Sequence, residues 1–175
     1  WDDIIAKTPP LQGNFIPDRK SIGTIIYTSG TTGLPKGVVH SVHAYSYAAT
    51  WALSQLNDLS NNERFFSYLP LSHIAERMLV EQGAIYTGGS ISFAESLDTF
   101  AANLKETQPT VFLAVPRIWT KFQMGILSKM SQSKLNVLLK IPVVNNLIRK
   151  KIKEGLGLQH AKYLLTGASP MSVAL

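Results

Sequence analysis

The residues best suited to chemistry lie in one short stretch that follows a β-branched apolar run. The stretch combines hydroxyl groups, glycines and one lysine: Thr28, Ser29, Gly30, Thr31, Thr32, Gly33 and Lys36. Glycine lets the backbone approach a ligand and present its N–H groups, hydroxyls donate further hydrogen bonds, and lysine supplies a mobile positive charge. The stretch therefore predicts a loop that binds a polyphosphate.

The spacing of this loop excludes two common nucleotide-binding motifs. A Walker A loop ends in Gly-Lys-Ser/Thr, whereas here Pro35 precedes Lys36 and Gly37 follows it. The glycines at positions 30, 33 and 37 do not fit Gly-x-Gly-x-x-Gly either. The plain alternative is a solvated loop between two strands.

Two more polar stretches follow predicted strands. His73 comes shortly after a strand that Pro70 ends, and Gly167, Ala168 and Ser169 follow the last predicted strand. His73 could orient an anionic oxygen, or it could simply cap the helix that begins there. Arg77 could meet a carboxylate or a phosphate, whereas Glu76 is expected to pair locally.

The composition excludes several kinds of functional site and points to a basic stretch. The chain has 175 residues and no cysteine, which excludes disulfides, zinc–thiolate sites and cysteine nucleophiles, and its four histidines are scattered. The net charge is +6, and many of the basic side chains lie within residues 129–153. This basic stretch could contact phosphates, acidic lipid or nucleic acid, or it could be only a solvated helix face.

Strand and helix patterns alternate after a connecting segment at residues 1–20. Strands are predicted on both sides of the phosphate loop within about 21–39, and at about 64–70, 91–93, 110–115 and 161–166. Helices are predicted at about 42–56, 71–86, 97–107 and 116–130, and across 131–155 with a break at Pro142. The alternation predicts an α/β fold, a mostly parallel sheet with helices on both faces. We expect the three polar stretches to converge beyond the carboxyl ends of the strands.

Four segments resemble those of known enzymes. Tyr27–Gly37 resembles the phosphate-binding signature of the adenylate-forming enzymes. Leu69–Arg77 and Val115–Lys121 resemble segments of long-chain acyl-CoA synthetases, and Leu165–Pro170 is similar to the family's loop beside the nucleotide and acyl group. One departure follows the phosphate loop, where the family's Ser/Thr-His-x-Asn is replaced by Ser41-Val42-His43-Ala44.

The resemblance implies part of the large N-terminal domain of a long-chain fatty acid:CoA ligase. Residues 21–175 would be an incomplete AMP-binding domain, which is expected to be inactive alone because later family motifs are missing. In that chemistry a carboxylate attacks the α-phosphate of ATP, and CoA then displaces AMP. Thr28 would help hold Mg²⁺ or the phosphates, and the rest of the loop would cradle the β- and γ-phosphates. His73 would be the catalytic residue near the α-phosphate, and Gly167, Ala168 and Ser169 would border adenine and the acyl chain.

The implied partners are fatty acid, ATP with Mg²⁺, and CoA. We expect a cytoplasmic protein or one peripheral on the cytoplasmic membrane face, with membrane contact through residues 129–153, no nucleic acid and a homodimer as one option. Two alternatives stay open: an adenylating ligase for an aryl or amino acid, and a non-catalytic basic module that binds membranes or nucleic acid. The second alternative predicts binding that salt weakens steeply.

Overall fold

The computed structural model describes residues 1–10, 12–13, 16–29 and 33–171. The described strands are β1 (Ile22–Thr28), β2 (Lys36–Ser41), β3 (Arg64–Ser67), β4 (Ser90–Phe93), β5 (Val111–Ala114) and β6 (Tyr163–Thr166). The helices are α1 (Asp2–Lys7), α2 (Val42–Ser54), α3 (Gln82–Thr87), α4 (Phe100–Thr107), α5 (Pro116–Leu127), α6 (Gln132–Lys140) and α7 (Pro142–Leu156). A π-helical segment, Glu76–Glu81, leads directly into α3.

Four strands form a parallel sheet in the order β4-β3-β5-β6. Neighbouring side chains on one strand point to opposite faces, and here each face has its own core. Phe66 and Phe112 pack with α4, α5 and the end of α7, whereas Phe65 and Val111 pack with the π-helical segment and α3. The predicted α/β class, with helices on both faces of a parallel sheet, is confirmed.

The expectation that the phosphate loop extends from the parallel sheet is wrong. β1 and β2 form a separate antiparallel hairpin, in which Thr28 is paired with Lys36 at the loop end. An apolar β-branched run such as Ile22–Thr28 predicts a strand but does not specify its partner, because both sheet types accept such runs. The loop is therefore the tip of a hairpin beside the main sheet.

Capping residues explain several helix boundaries. The Ser41 hydroxyl accepts a hydrogen bond from the backbone N–H of Ala44 and caps the start of α2. Gly88 and Gly157 end α3 and α7 in the left-handed conformation that glycine adopts most easily. Pro142 separates α6 from α7, and Pro116 occupies the first turn of α5.

Several boundaries differ from the predictions: β3 ends at Ser67 and not near 70, and α5 ends at Leu127 and not near 130. The segment 1–20, predicted to be a connecting segment, contains the short helix α1. The helix expected from residue 97 begins at Phe100, because the Ser96 hydroxyl accepts the backbone N–H of Thr99 and holds a turn there. Among the described residues, no helix is both long and apolar enough to cross a bilayer.

The amino end of the sheet is held by an ion pair between the buried Glu63 and the partly exposed Lys162. The Glu63 carboxylate is almost fully buried and accepts a hydrogen bond from Lys162 Nζ at 2.6 Å. Burial alone would raise the pKa of Glu63, but hydrogen bonds from Lys162, Thr110 and Ser60 outweigh it and hold the pKa below its ordinary value. The pair links the residue before β3 to the residue before β6, at the edge opposite the candidate site.

Candidate functional site

The carboxyl ends of the parallel strands bring together the segments that follow β3, β5 and β6. Strand order reverses between β3 and β5, because the chain passes from β3 to β4 on one side and then crosses to β5 on the other. Open α/β sheets bind ligands in the crevice at such a point. The segment containing His73 follows β3, and Gly167–Ser169 follows β6 on the far side of β5.

Two aromatic side chains hold this edge of the sheet. The Tyr68 hydroxyl, just after β3, accepts the backbone N–H of Val115, just after β5, at 3.2 Å. The indole N–H of Trp119 donates to the carbonyl of Ala114 at 3.0 Å, and its ring packs edge-to-face on Phe112. Trp119 therefore packs against the core, while the bridging role of Tyr68 had no signal in the sequence.

His73 caps the start of a helix through its Nδ1 and leaves its Nε2 available for another hydrogen bond. Its Nδ1 accepts the backbone N–H of Ala75 at 3.2 Å, and its carbonyl accepts the backbone N–H of Glu76 at 3.1 Å. A neutral imidazole that accepts at Nδ1 carries its proton on Nε2. His73 can therefore cap the helix and also donate a hydrogen bond from Nε2 to an anionic oxygen.

Glu76 lies beneath the loop that carries His73. It is only 1% exposed, its Oε1 has no hydrogen-bond partner, and its nearest polar groups are the Ser67 hydroxyl and the backbone of Tyr68 and Leu69. Burial raises the pKa of Glu76 above its ordinary value, although those polar groups offset part of the shift. Glu76 thus supports the end of β3 from inside, and among the described residues it forms no ion pair, so the local pairing expected from the sequence stays a prediction.

The loop after β6 contains an unusual backbone conformation. Ala168 has a φ of +70°, in the left-handed region that a non-glycine residue seldom adopts. Gly167 has open space around its α-carbon, and both Ala168 and Ser169 are exposed. Strain of this kind is concentrated at binding sites, where the surrounding structure fixes the backbone.

The hairpin tip presents its polar groups to solvent. Thr28, Ser29, Gly33 and Lys36 are all exposed, and Gly33 has a φ of +86° with no atom near the position of a Cβ. Gly30, Thr31 and Thr32 lie outside the described residues. No Asp or Glu occurs between Asp18 and Asp58, so every ionisable side chain in this part of the sequence is basic or neutral. Such a region attracts anions.

Arg77 connects the hairpin to the parallel sheet. Its guanidinium donates to the Thr24 hydroxyl on β1 and to Glu81 Oε2 at 3.2 Å, and its carbonyl accepts the Tyr45 hydroxyl of α2 at 3.3 Å. Arg77 is therefore engaged in a structural contact and not in the free carboxylate or phosphate contact considered from the sequence. Among the hydrogen bonds of the described residues, none joins the hairpin tip to His73 or to Gly167–Ser169.

The described residues do not form a complete metal site. Within ranges 1–10, 12–13, 16–29 and 33–171, no cluster of three His, Asp or Glu residues could hold a metal ion. Mg²⁺ is usually held by carboxylates together with substrate phosphates, and the hairpin has no carboxylate. Thr28 alone does not fit a resident Mg²⁺, although its hydroxyl could supply one oxygen to a metal held mainly by phosphates.

Sequence comparison finds relatives of known activity. The chain is 30% identical to the long-chain-fatty-acid–CoA ligase ACSBG2 of Homo sapiens, over 98% of this chain and 31% of that protein. It is 33% identical to the ACSBG2 ligase of Xenopus laevis, over 98% of this chain and 26% of that protein. It is 32% identical to long chain acyl-CoA synthetase 3 of Arabidopsis thaliana, over 88% of this chain and 27% of that protein. The chain thus spans between a quarter and a third of the length of these relatives.

Solved structures share the fold. The adenylation domain of a carboxylate reductase from Mycobacterium chelonae superposes with a TM-score of 0.68 at 24% identity, over 99% of this chain and 27% of that chain. The O-succinylbenzoate coenzyme A synthetase of Bacillus subtilis, solved with AMP, superposes with a TM-score of 0.57 at 21% identity, over 90% of this chain and 27% of that chain. The fold is that of an adenylation domain's N-terminal region.

A sequence profile of one enzyme family accounts for nearly the whole chain. The profile described as "AMP-binding enzyme" matches residues 5–175, a range that includes the hairpin, the loop of His73 and the strained loop after β6. The human and Arabidopsis long-chain ligases match over 98% and 88% of this chain. This chain belongs to the AMP-binding enzyme family.

Proposed function

We propose that this chain is the polyphosphate-binding part of an AMP-forming ligase that joins a long-chain fatty acid to CoA. The relatives at about 30% identity carry that activity in their names. The observation that carries the proposal is the exposed hairpin tip, where glycines, hydroxyls and Lys36 stand in a region without acidic side chains. Residues 21–175 would form an incomplete AMP-binding domain, because the chain spans between a quarter and a third of the length of these relatives.

The chemistry joins two anions, so positioning and charge stabilisation are the tasks of the protein. The substrate carboxylate forms a bond to the α-phosphorus of ATP as the bond to pyrophosphate breaks, and the thiol sulfur of CoA then replaces AMP at the acyl carbon. The hairpin tip would hold the β- and γ-phosphates, with Ser29, Gly30, Thr31, Thr32, Gly33 and Lys36 as the contacting residues. Lys36 acts as a cation in this scheme and not as a base.

The strand-end crevice would hold the reacting groups. His73 would donate from Nε2 to an oxygen of the α-phosphate or of the attacking carboxylate, because its Nδ1 is already occupied by the N–H of Ala75. Gly167, Ala168 and Ser169 would border adenine and the acyl chain. Bound Mg²⁺ neutralises charge on the phosphates, and Thr28 would contribute one oxygen at most.

The helical pair α6–α7 would contact the cytoplasmic membrane surface from which a long-chain substrate is drawn. Lys134, Lys140, Arg149, Lys150, Lys151 and Lys153 lie on these two helices, and the only ion pair among them in the described part of the chain is a long Lys150–Glu154 contact of 3.9 Å. Near the junction at Pro142 the aliphatic side chains are exposed, with Val143 at 82%. Basic and aliphatic groups side by side favour an anionic lipid surface.

The test of the proposed function is acid-dependent exchange between ATP and pyrophosphate by the full-length protein. A series of fatty acids from acetate to oleate should give exchange that rises with chain length. Exchange with aryl or amino acids but with no fatty acid would instead assign another adenylated acid. A folded protein that binds ATP but gives no exchange with any carboxylic acid would overturn the proposal.

A further inference from the structure

A surface cavity of about 520 Å³ lies between α4, α5, α6 and α7, away from the strand-end crevice. Three of its lining residues, Leu104, Phe122 and Leu156, belong to the core on the Phe66 face of the sheet. None of the described residues of the phosphate loop, of the His73 loop or of Gly167–Ser169 lines it. The cavity is therefore a separate site.

The chemistry of the cavity is that of an amphiphile site. Its walls are mainly apolar, and the only charged side chains among its lining residues are those of Lys121, Lys129 and Lys151. Within the part of the chain that the structure describes, no carboxylate lines the cavity, so the charged groups at its wall are all positive. Its volume is within the range of about 300–1,000 Å³ that is usual for small-molecule sites.

Two helical glycines keep the cavity open. Gly125 of α5 and Gly155 of α7 both line it, and a Cβ added at either would meet no heavy atom within 4 Å. Glycine is an unfavourable residue in a helix interior. Neither glycine is needed for a positive φ or for a close contact, and their effect is to leave space where other helical residues would fill it.

We propose that this cavity binds one long-chain carboxylate, with the acyl chain along the apolar walls and the carboxylate at the lysines. Charge complementarity selects an anionic head group, and the apolar walls select a single hydrocarbon chain over a nucleotide. The site does not depend on the proposed ligase function, because it shares no residue with the strand-end crevice. A failure of this proposal would leave the exchange reaction unchanged.

The test is photolabelling of the full-length protein with a palmitate that carries a diazirine near its methyl end. Mass spectrometry should find the label on peptides of α5 or α7, for example at Ile126 or Ile152. Gly155→Leu and, separately, Gly125→Leu fill the cavity and should each reduce this label at least ten-fold. Asn146→Leu, which adds an exposed leucine to the same helix outside the cavity lining, should label like the wild type.

The head group is tested by competition and by charge removal. Replacing Lys121, Lys129 and Lys151 with glutamine should weaken palmitate labelling several-fold, whereas the same change at the exposed Lys7, Lys20 and Lys105, which neither line this cavity nor lie on α6 or α7, should not. Unlabelled palmitate should compete better than hexadecanol or palmitoyl-CoA.

Three results would overturn the proposal. The first is a wild type whose α5 and α7 peptides are unlabelled, and the second is label that persists in both glycine variants. The third is equal or better competition by hexadecanol or palmitoyl-CoA, which would remove the assignment of a free carboxylate. Melting temperatures near that of the wild type would show that the variants are folded, and if one glycine variant fails to fold the other still decides.

Discussion

At the scale of single residues, His73 combines a structural and a chemical capacity in one ring. Its Nδ1 caps the helix through Ala75, and Nε2 remains as a donor toward the crevice. Asparagine is a good helix cap but does not reach the position of Nε2. The two roles can therefore be separated by one substitution.

His73→Asn should leave the free energy of unfolding nearly unchanged and lower the kcat of acid-dependent exchange about 100-fold, the low end of what a positioned proton donor contributes. His73→Ala should lose the exchange and also about 1 kcal/mol of stability, because the cap is gone. Urea unfolding and exchange rates on the full-length protein measure both. A wild-type exchange rate in His73→Asn would show that His73 acts only as a helix cap.

Ala168 is the second residue whose backbone conformation can be tested. Its φ of +70° is tolerable for alanine but poor for a β-branched side chain. Ala168→Val should lower stability by about 1–2 kcal/mol, whereas Ser169→Val beside it, where φ is not positive, should cost less. A thermal unfolding series gives the comparison, and equal losses at the two positions would mean that the loop relaxes without strain.

At the scale of elements, local sequence patterns predicted the positions of most helices and strands. They did not predict which strands pair with each other. Helix positions and the break at Pro142 were predictable because capping and backbone restriction act within a few residues. The hairpin pairing of β1 with β2 was missed because strand partners are decided by packing at a distance. The π-helical segment had no recognisable pattern.

For the candidate site too, the sequence predicted where the polar segments lie along the chain but not the contacts between distant segments. Gly167–Ser169 and His73 follow parallel strands as expected, since the carboxyl end of a strand is set by topology. The contacts of Arg77 with Thr24 and Glu81 were not predictable, because they join segments far apart in the chain. Glu76 was expected to pair locally, but its burial depends on the complete core.

The helical pair α6–α7 is predicted to bind anionic lipid surfaces. The full-length protein should sediment with vesicles of phosphatidylcholine and phosphatidylserine but weakly with phosphatidylcholine alone, and added salt should release it. Val143→Ser should reduce binding because it removes an exposed aliphatic anchor. Lys140→Gln should cost about 1 kcal/mol, a several-fold loss of affinity, and Lys7→Gln on α1 is the matched control. Equal binding to both vesicle types would contradict a role for charge.

At the scale of the whole molecule, two buried carboxylates set opposite pH dependences. The pKa of Glu63 is lowered in the folded protein, so its contribution to stability is present above the unfolded pKa and is lost as pH falls through the folded pKa. The pKa of Glu76 is raised, so the folded state binds its proton more tightly and this contribution is lost as pH rises from the unfolded toward the folded pKa.

Removal of each carboxyl should therefore change the stability profile in its own direction. Glu63→Gln should flatten the loss of stability on acidification, at the cost of lower stability at neutral pH because the Lys162 contact is weakened. Glu76→Gln should flatten the decline on the way from acid to neutral pH. Free energies of unfolding across the acid range measure both, and parallel profiles for wild type and variants would show that other groups control the pH dependence.

The proposed function requires that Lys36 at the hairpin tip hold ATP phosphates. The most direct measurement is the kcat/KM for ATP in fatty-acid-dependent ATP–pyrophosphate exchange by the full-length protein, compared between Lys36→Ala and Lys20→Ala, a neighbouring exposed lysine outside the loop. We expect Lys36→Ala to lower this value at least ten-fold, about 1.4 kcal/mol of binding to the transition state, and Lys20→Ala to match the wild type. Undiminished exchange by a folded Lys36→Ala protein would contradict the assignment of the hairpin tip as the phosphate site.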